Sequence, residues 1–158
     1  MQMTREEACA RAGELFRMGY NCAQAVCGTF AQTVGVDLQT AMRASAPFGG
    51  GFGRMREVCG AVSGMCLILG WSEPAYEPGD NRGKSEIYRK TQALIERFRE
   101  ENGSMICREL LAGVRVTPGT DAEERTDEYY RKRPCAMIVQ DAAGLVWDML
   151  QEQERERS

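Results

Sequence analysis

A chain of 158 residues with a formal net charge of −3 and no histidine has the size of one domain. It offers no general electrostatic case for nucleic acid or an anionic membrane surface. The missing imidazole excludes Ser-His-Asp and Cys-His machinery, histidine metal ligands and His-ligated haem. What remains for chemistry is sulfur, in Cys9, Cys22, Cys27, Cys59, Cys66, Cys107 and Cys135.

The hydrophobic pattern reads as helices from end to end. Thr4 with Glu7 is a capping-box signature, and Gly19 ends the first helix. Asn21 caps a second, with Ala23, Val26, Cys27, Phe30 and Val34 on one face. Asp37 caps a short third helix to about Ala46, which Pro47 and the glycine run 48–53 break. A fourth covers Val58 to Leu69 and is apolar all round, the mark of a buried central helix. Trp71 to Asp80 reads as a loop. A long fifth helix runs from about Asn81 to Glu101, with Ile87, Thr91, Leu94, Ile95 and Phe98 inward and Gly103 at its end. Ser104 caps a sixth to Ala112. A loop follows over Val114 to Thr120, then a charged, solvated helix over Asp121 to Lys132. Pro134 opens the last helix, whose inner face carries Ile138, Val139, Ala142, Val146 and Met149. Residues 151–158 are charged and are expected to fray. Val114 to Val116 is the only strand candidate, and no repeat or heptad run appears. The expected fold is all-α: a compact, single-domain helical bundle over residues 1–158, with about six to eight helices.

The N-terminus lacks the basic-then-apolar layout of a secretory signal. The longest apolar run, Val58 to Trp71, falls short of the roughly 20 residues that span a bilayer. No membrane insertion and a cytoplasmic location are therefore expected, where thiols stay reduced, bind metal or do redox work. An odd number of cysteines also excludes a fully paired intramolecular framework.

The seven cysteines divide by position. Cys22 follows the cap Asn21, Cys59 opens the fourth helix, Cys107 lies three residues after Ser104, and Cys135 follows Pro134. Each sits in the first turn of a different helix. A helix start offers unpaired N–H groups and the positive end of the dipole, and both favour a thiolate. Cys9, Cys27 and Cys66 fall in helix interiors, where core packing explains them. Cys66, on the same face as Cys59, could alternatively serve as a resolving thiol. The run Gly49-Gly50-Gly51-Phe52-Gly53 leads toward Cys59. A phosphate cradle there would need a preceding strand and a following Gly-Lys-Ser/Thr, and neither is present. The run instead reads as a turn needing positive φ, or as bare backbone approaching a sulfur-bound cluster, with Gly50, Gly51 and Gly60 in support.

Taken in order, Tyr20-Asn21-Cys22-Ala23-Gln24-Ala25-Val26, the glycine loop, Cys59-Gly60-Ala61-Val62-Ser63-Gly64, Cys107-Arg108-Glu109-Leu110-Leu111 and Cys135 resemble the C_GCAxxG_C_C family of redox-active proteins. The resemblance runs from roughly Ala8 to Leu150 and places the family's four cysteines on Cys22, Cys59, Cys107 and Cys135. Similar sequence occurs in split-Soret-type cytochromes, which carry an iron–sulfur centre. Without histidine, only the cluster part of that likeness can transfer.

Three functions follow. In the first, Cys22, Cys59, Cys107 and Cys135 hold an iron–sulfur cluster, of the 2Fe–2S type, or else zinc, and pass electrons to a partner protein. In the second, an oxidoreductase-like thiol–disulfide protein uses a low-pKa Cys59 as nucleophile and a second cysteine to resolve the mixed disulfide. In the third, the chain is a structural helical protein with buried thiols. An apolar-rich helical surface could also support a homodimer.

Overall fold

Local rules set most of the helix boundaries. A computed structural model describes residues 1–158, with α1 (Arg5–Arg17), α2 (Cys22–Phe30), α3 (Leu38–Ser45), α4 (Gly60–Ser72), α5 (Asn81–Asn102), α6 (Cys107–Leu110), α7 (Asp127–Lys132) and α8 (Cys135–Arg157). A single 3₁₀ turn at Ala46–Phe48 closes α3. The architecture is all-α, and the only extended pairing is one antiparallel bridge, Val58 with Ile106. Thr4 and Glu7 form a reciprocal capping box on α1, and Asn21 and Gln24 form another on α2. Asp37, Asp80 and Thr126 cap α3, α5 and α7 through their side chains. Gly103 ends α5 at φ +87° in the left-handed conformation.

The core gathers around α2 and α4. Phe16, Phe30, Phe98, Met65, Ile68, Val26, Val62, Val139 and Val146 are fully buried there, contributed by α1, α2, α4, α5 and α8. α1 lies along α8 and α2, while α4 packs on α2, α8 and α5. Helix α4 is the expected central helix, beginning at Gly60 and running on to Ser72. Small residues let it approach α2 closely. A Cβ on Gly64 would stand 2.9 Å from the Ala23 carbonyl oxygen and 2.9 Å from Val26 Cβ.

Several boundaries differ from expectation, each for a local reason. The sixth helix is one turn, with Ile106 at its cap. Ser104 accepts a bond from the Ile106 N–H at 3.0 Å instead of capping a longer helix. Residues 121–126 are not helical, because an arginine from elsewhere binds their polar groups, as described below. Val114 to Val116 forms no strand. Residues 151–157 do not fray. Gln153 is buried and donates to Ser72 Oγ at 3.0 Å and to Glu73 at 2.8 Å, and Arg157 pairs with Glu73 at 3.3 Å.

The α2–α4 spacing gives a paired test in one helix. Gly64→Ala must push rigid backbone, and should destabilise by about 1–3 kcal/mol. Gly70 is exposed with nothing within 4 Å of an added Cβ, so Gly70→Ala should stabilise by about 0.5–1 kcal/mol. Urea denaturation midpoints of the two variants check both signs.

Candidate functional site

Four helices begin at one place. Cys22, Cys107 and Cys135 are the first residues of α2, α6 and α8, and Cys59 immediately precedes α4. All four line one cavity of about 60 Å³, together with Gly50, Gly51 and Gly60. Cys59 and Cys107 are 5 % and 8 % exposed, and Cys22 and Cys135 are half-buried. All seven thiols are free. Cys9, Cys27 and Cys66 lie outside the cavity; Cys27 is fully buried and donates to the Gly64 carbonyl at 3.6 Å.

Backbone contacts fix two of the cysteines side by side. Around the Val58–Ile106 bridge, the Cys59 N–H donates to Met105 O at 2.8 Å and the Cys107 N–H to Glu57 O at 2.6 Å. Glycines set the remaining approaches. A Cβ on Gly51 would stand 2.8 Å from Cys107 Cβ, and one on Gly60 would stand 3.3 Å from Cys22 Cβ. Between them runs a left-handed spiral, with φ of +67°, +75°, +64°, +57° and +68° at Gly50, Gly51, Phe52, Gly53 and Arg54, and of +62° at Arg56. For Phe52, Arg54 and Arg56 that conformation costs on the order of 1–3 kcal/mol each.

Three of the four helix starts at the cavity are bare. α4, α6 and α8 have no side-chain cap, whereas α1, α2, α3, α5 and α7 all have one. The first N–H groups of α4 and α8 thus have no backbone acceptor, whereas at α6 the Cys107 and Arg108 N–H groups donate to the Glu57 and Arg56 carbonyls. The N–H groups of Gly50 and Gly51 likewise have no acceptor in the protein.

Arginine supplies the rest of the lining. Arg56, Arg125 and Arg133 line the cavity with no carboxylate among them. Arg56 Nη1 lies 3.8 Å from Cys107 Sγ. Arg125 sits over the ring of Phe16 at 4.3 Å and of Tyr129 at 5.0 Å, and donates to the carbonyls of Phe16 and Tyr20. Behind them, Glu123 binds Arg133 and Arg54 and faces Arg56 at 3.8 Å. Arg54 also donates to the carbonyls of Thr117, Gly119 and Asp121. One side chain thereby strings residues 117–123 across the site, which is why the expected helix from Asp121 starts only at Asp127. Sequence reasoning missed these charges by treating 121–132 as a solvated face. The available signal was arginine close to a site cysteine: Arg56 before Cys59, and Arg133 before Cys135.

The thiols are not equally acidic. Burial pushes Cys59 up to about 12, outweighing the N–H groups of Ala61 and Val62. The expected low-pKa Cys59 is therefore corrected: desolvation wins over the helix start. Burial also raises Cys107, against the pull of Arg56. Interaction with the neighbouring Cys135 sulfur holds the proton on Cys22. Cys135 is the one thiol lowered, first by Cys22 and then by Arg133, Arg125 and Arg56, against burial.

This ordered set of cysteines decides the comparison with known proteins: residues 20–149 match the family described as C_GCAxxG_C_C, putative redox-active protein. The chain belongs to this family. No curated protein and no solved structure matches it. Within the matched residues lie Cys22, Cys59, Cys107 and Cys135, which the fold gathers around one cavity. Their chemistry suits a thiolate-bound group, with four sulfurs, free N–H groups and arginine charge around one cavity. No three Cys, Asp or Glu side chains converge on a single point as the ligands of one metal ion would.

Glu123 makes this corner of the site sensitive to acid. Burial raises its pKa, but the Thr117 N–H, the Arg133 guanidinium and the Thr117 hydroxyl outweigh that and bring it from 4.5 to about 2. A depressed carboxylate stabilises the fold above its unfolded value, and that contribution is lost as pH falls through the folded one. Glu123→Gln should therefore be less stable than wild type at pH 7, with the gap closing between about pH 4.5 and 2. Thermal melts across that range check it.

Proposed function

We propose that the four-cysteine cavity holds an iron–sulfur cluster, of the 2Fe–2S type, and that the protein transfers electrons through it. The observation that carries this reading is the convergence of Cys22, Cys59, Cys107 and Cys135, each from a different helix start, on one cavity. A dithiol enzyme needs two sulfurs; four from four elements match the four-cysteine ligation of a cluster. Zinc requires four donors around one point. A two-iron cluster divides its thiolates between two centres, which suits sulfurs distributed around a cavity.

Cys22, Cys59, Cys107 and Cys135 would be the ligands. When bound, the cluster supplies one-electron chemistry; the protein supplies everything that tunes it. Free N–H groups at the bare starts of α4 and α8, and at Gly50 and Gly51, are available as donors toward sulfur. Arg56, Arg125 and Arg133 offset the negative charge of thiolate ligation. Phe16, Leu110, Leu111, Tyr129 and Ile138 restrict water. Because the ligands come from distant parts of the chain, the site exists only in the folded protein.

One observation favours a second reading. Cys22 and Cys135 line the same cavity, each shifting the other's hold on its proton, and Cys135 is the thiol whose proton leaves most readily. In a thiol–disulfide enzyme the Cys135 thiolate would attack a substrate disulfide, form a mixed disulfide and release one substrate thiolate. Cys22, losing its proton, would then attack the Cys135 sulfur and release the second. The substrate gains two electrons, and a Cys22–Cys135 disulfide forms.

Protein purified without oxygen separates the readings. The cluster reading expects near-stoichiometric iron and sulfide with broad visible absorption, and loss of both in Cys59→Ser. A colourless, metal-free wild type with a full thiol titre would overturn it. A disulfide that forms in wild type under oxidant and is lost in Cys135→Ser, but kept in Cys59→Ser, would then support the second.

A further inference from the structure

The spiral before Cys59 places one charge against one sulfur. Among the three arginines that line the cavity, Arg56 alone comes within hydrogen-bonding reach of a cysteine, with Nη1 at 3.8 Å from Cys107 Sγ. Its side chain is only 15 % exposed, so water screens that charge weakly. Arg133 is bound by Glu123, and Arg125 spends its guanidinium on ring faces and carbonyls. Arg108, one residue after Cys107, pairs with Glu57 away from the cavity at 3.1 Å.

The backbone of Arg56 is held to this task. Its φ of +62° is one that an arginine adopts only under constraint. Three bonds supply the constraint: the Arg56 N–H donates to Gly50 O at 3.0 Å, and its carbonyl accepts from the Arg108 N–H at 3.2 Å and the Arg108 guanidinium at 3.2 Å. On the other side, Glu123 Oε1 faces Arg56 Nη2 at 3.8 Å. The guanidinium thus stands between a cysteine sulfur and a competing carboxylate.

We infer that Arg56 is a positioning residue for the redox centre: it compensates charge at the Cys107 sulfur and sets how readily the four-cysteine site takes up an electron, with Glu123 as its counterweight. Reduction adds negative charge to the sulfur centre, and a fixed cation beside it favours the reduced state. Arginine stays protonated throughout the accessible pH range, so this bias does not titrate away. The inference rests on the redox reading of the cavity: Cys107 is a ligand in the cluster form, and in the dithiol form Arg56 is among the charges that act on Cys135.

The test is a potentiometric titration of the full chain, purified without oxygen, with dithionite as the reductant. Visible absorption follows a cluster, which gains one electron. Thiol titre follows a cysteine pair, in which two electrons reduce the sulfur–sulfur bond. Arg56→Gln should lower the reduction equilibrium constant about tenfold, roughly 59 mV for a one-electron couple. Arg56→Lys should recover most of that loss. Glu123→Gln, which removes the opposing carboxylate, should shift the midpoint to more positive values. A general loosening of the site would not move the two in opposite directions. Should Arg56→Gln fail to fold, the Glu123→Gln shift carries the test alone. Variants that keep the wild-type midpoint overturn the role of Arg56. A wild-type protein with no reversible transition overturns the redox reading itself, and this inference with it.

Discussion

The close approach of α2 and α4 is the constraint on which the site depends. Gly60 and Gly64 lie against Ala23 and Val26 with no room for a side chain. That spacing brings the start of α4, with Cys59, beside the start of α2, with Cys22. The Val58–Ile106 bridge then brings Cys107 alongside Cys59, and Gly51 lets the preceding spiral press against it. α8 runs along α1 and over α2 and α4, so its first residue, Cys135, closes the remaining side. The core and the cavity are consequences of the same packing, which is why small residues rather than large apolar ones define the site's edges.

A second regularity is the division of labour among helix starts. Helices that serve only the fold close their N-termini with Thr4, Asp37, Asp80 or Thr126. Three of the four that present cysteines have no side-chain cap. An uncapped start is a local loss of stability, of about 0.5–2 kcal/mol by comparison with capped ones. At α4 and α8 it leaves N–H groups beside the cavity without a backbone acceptor. The strain at Phe52, Arg54 and Arg56 falls in the same place, and strained backbone that persists next to a site is characteristic of function.

Most of this was legible in the sequence because it is local. Cap residues, helical periodicity and the breaks at Gly19, Pro47 and Gly103 depend on neighbours within a few positions. The four helix-start cysteines could therefore be picked out before any three-dimensional arrangement was known. What escaped was long-range. Arg54 organises residues 117–123 from more than sixty positions away, so a segment with helical composition stays out of a helix until Asp127. Cys59 has a helix start, yet burial leaves it among the weaker acids of the site. A dipole can be anticipated from a cap and a pattern, whereas desolvation depends on everything packed against the sulfur. Residues 151–157 look dispensable by charge alone, but Gln153 and Arg157 meet Glu73 just past the end of α4.

The absence of histidine takes on meaning once the cavity is seen. Histidine beside a sulfur centre would change charge near neutral pH and make the centre's electrostatics follow the medium. The cationic side chains that line the cavity are instead arginines, Arg56, Arg125 and Arg133. Glu123, the carboxylate bound to Arg133, has its pKa held down at about 2. Around neutrality, then, the charges surrounding the four sulfurs are constant, and any proton change at the site must occur on sulfur. Cys135 is the first to give up its proton and Cys22 among the last. The asymmetry has two physical sources within one cavity: burial, which pushes Cys59 up to about 12, and neighbouring charge, which lowers Cys135 against that same burial.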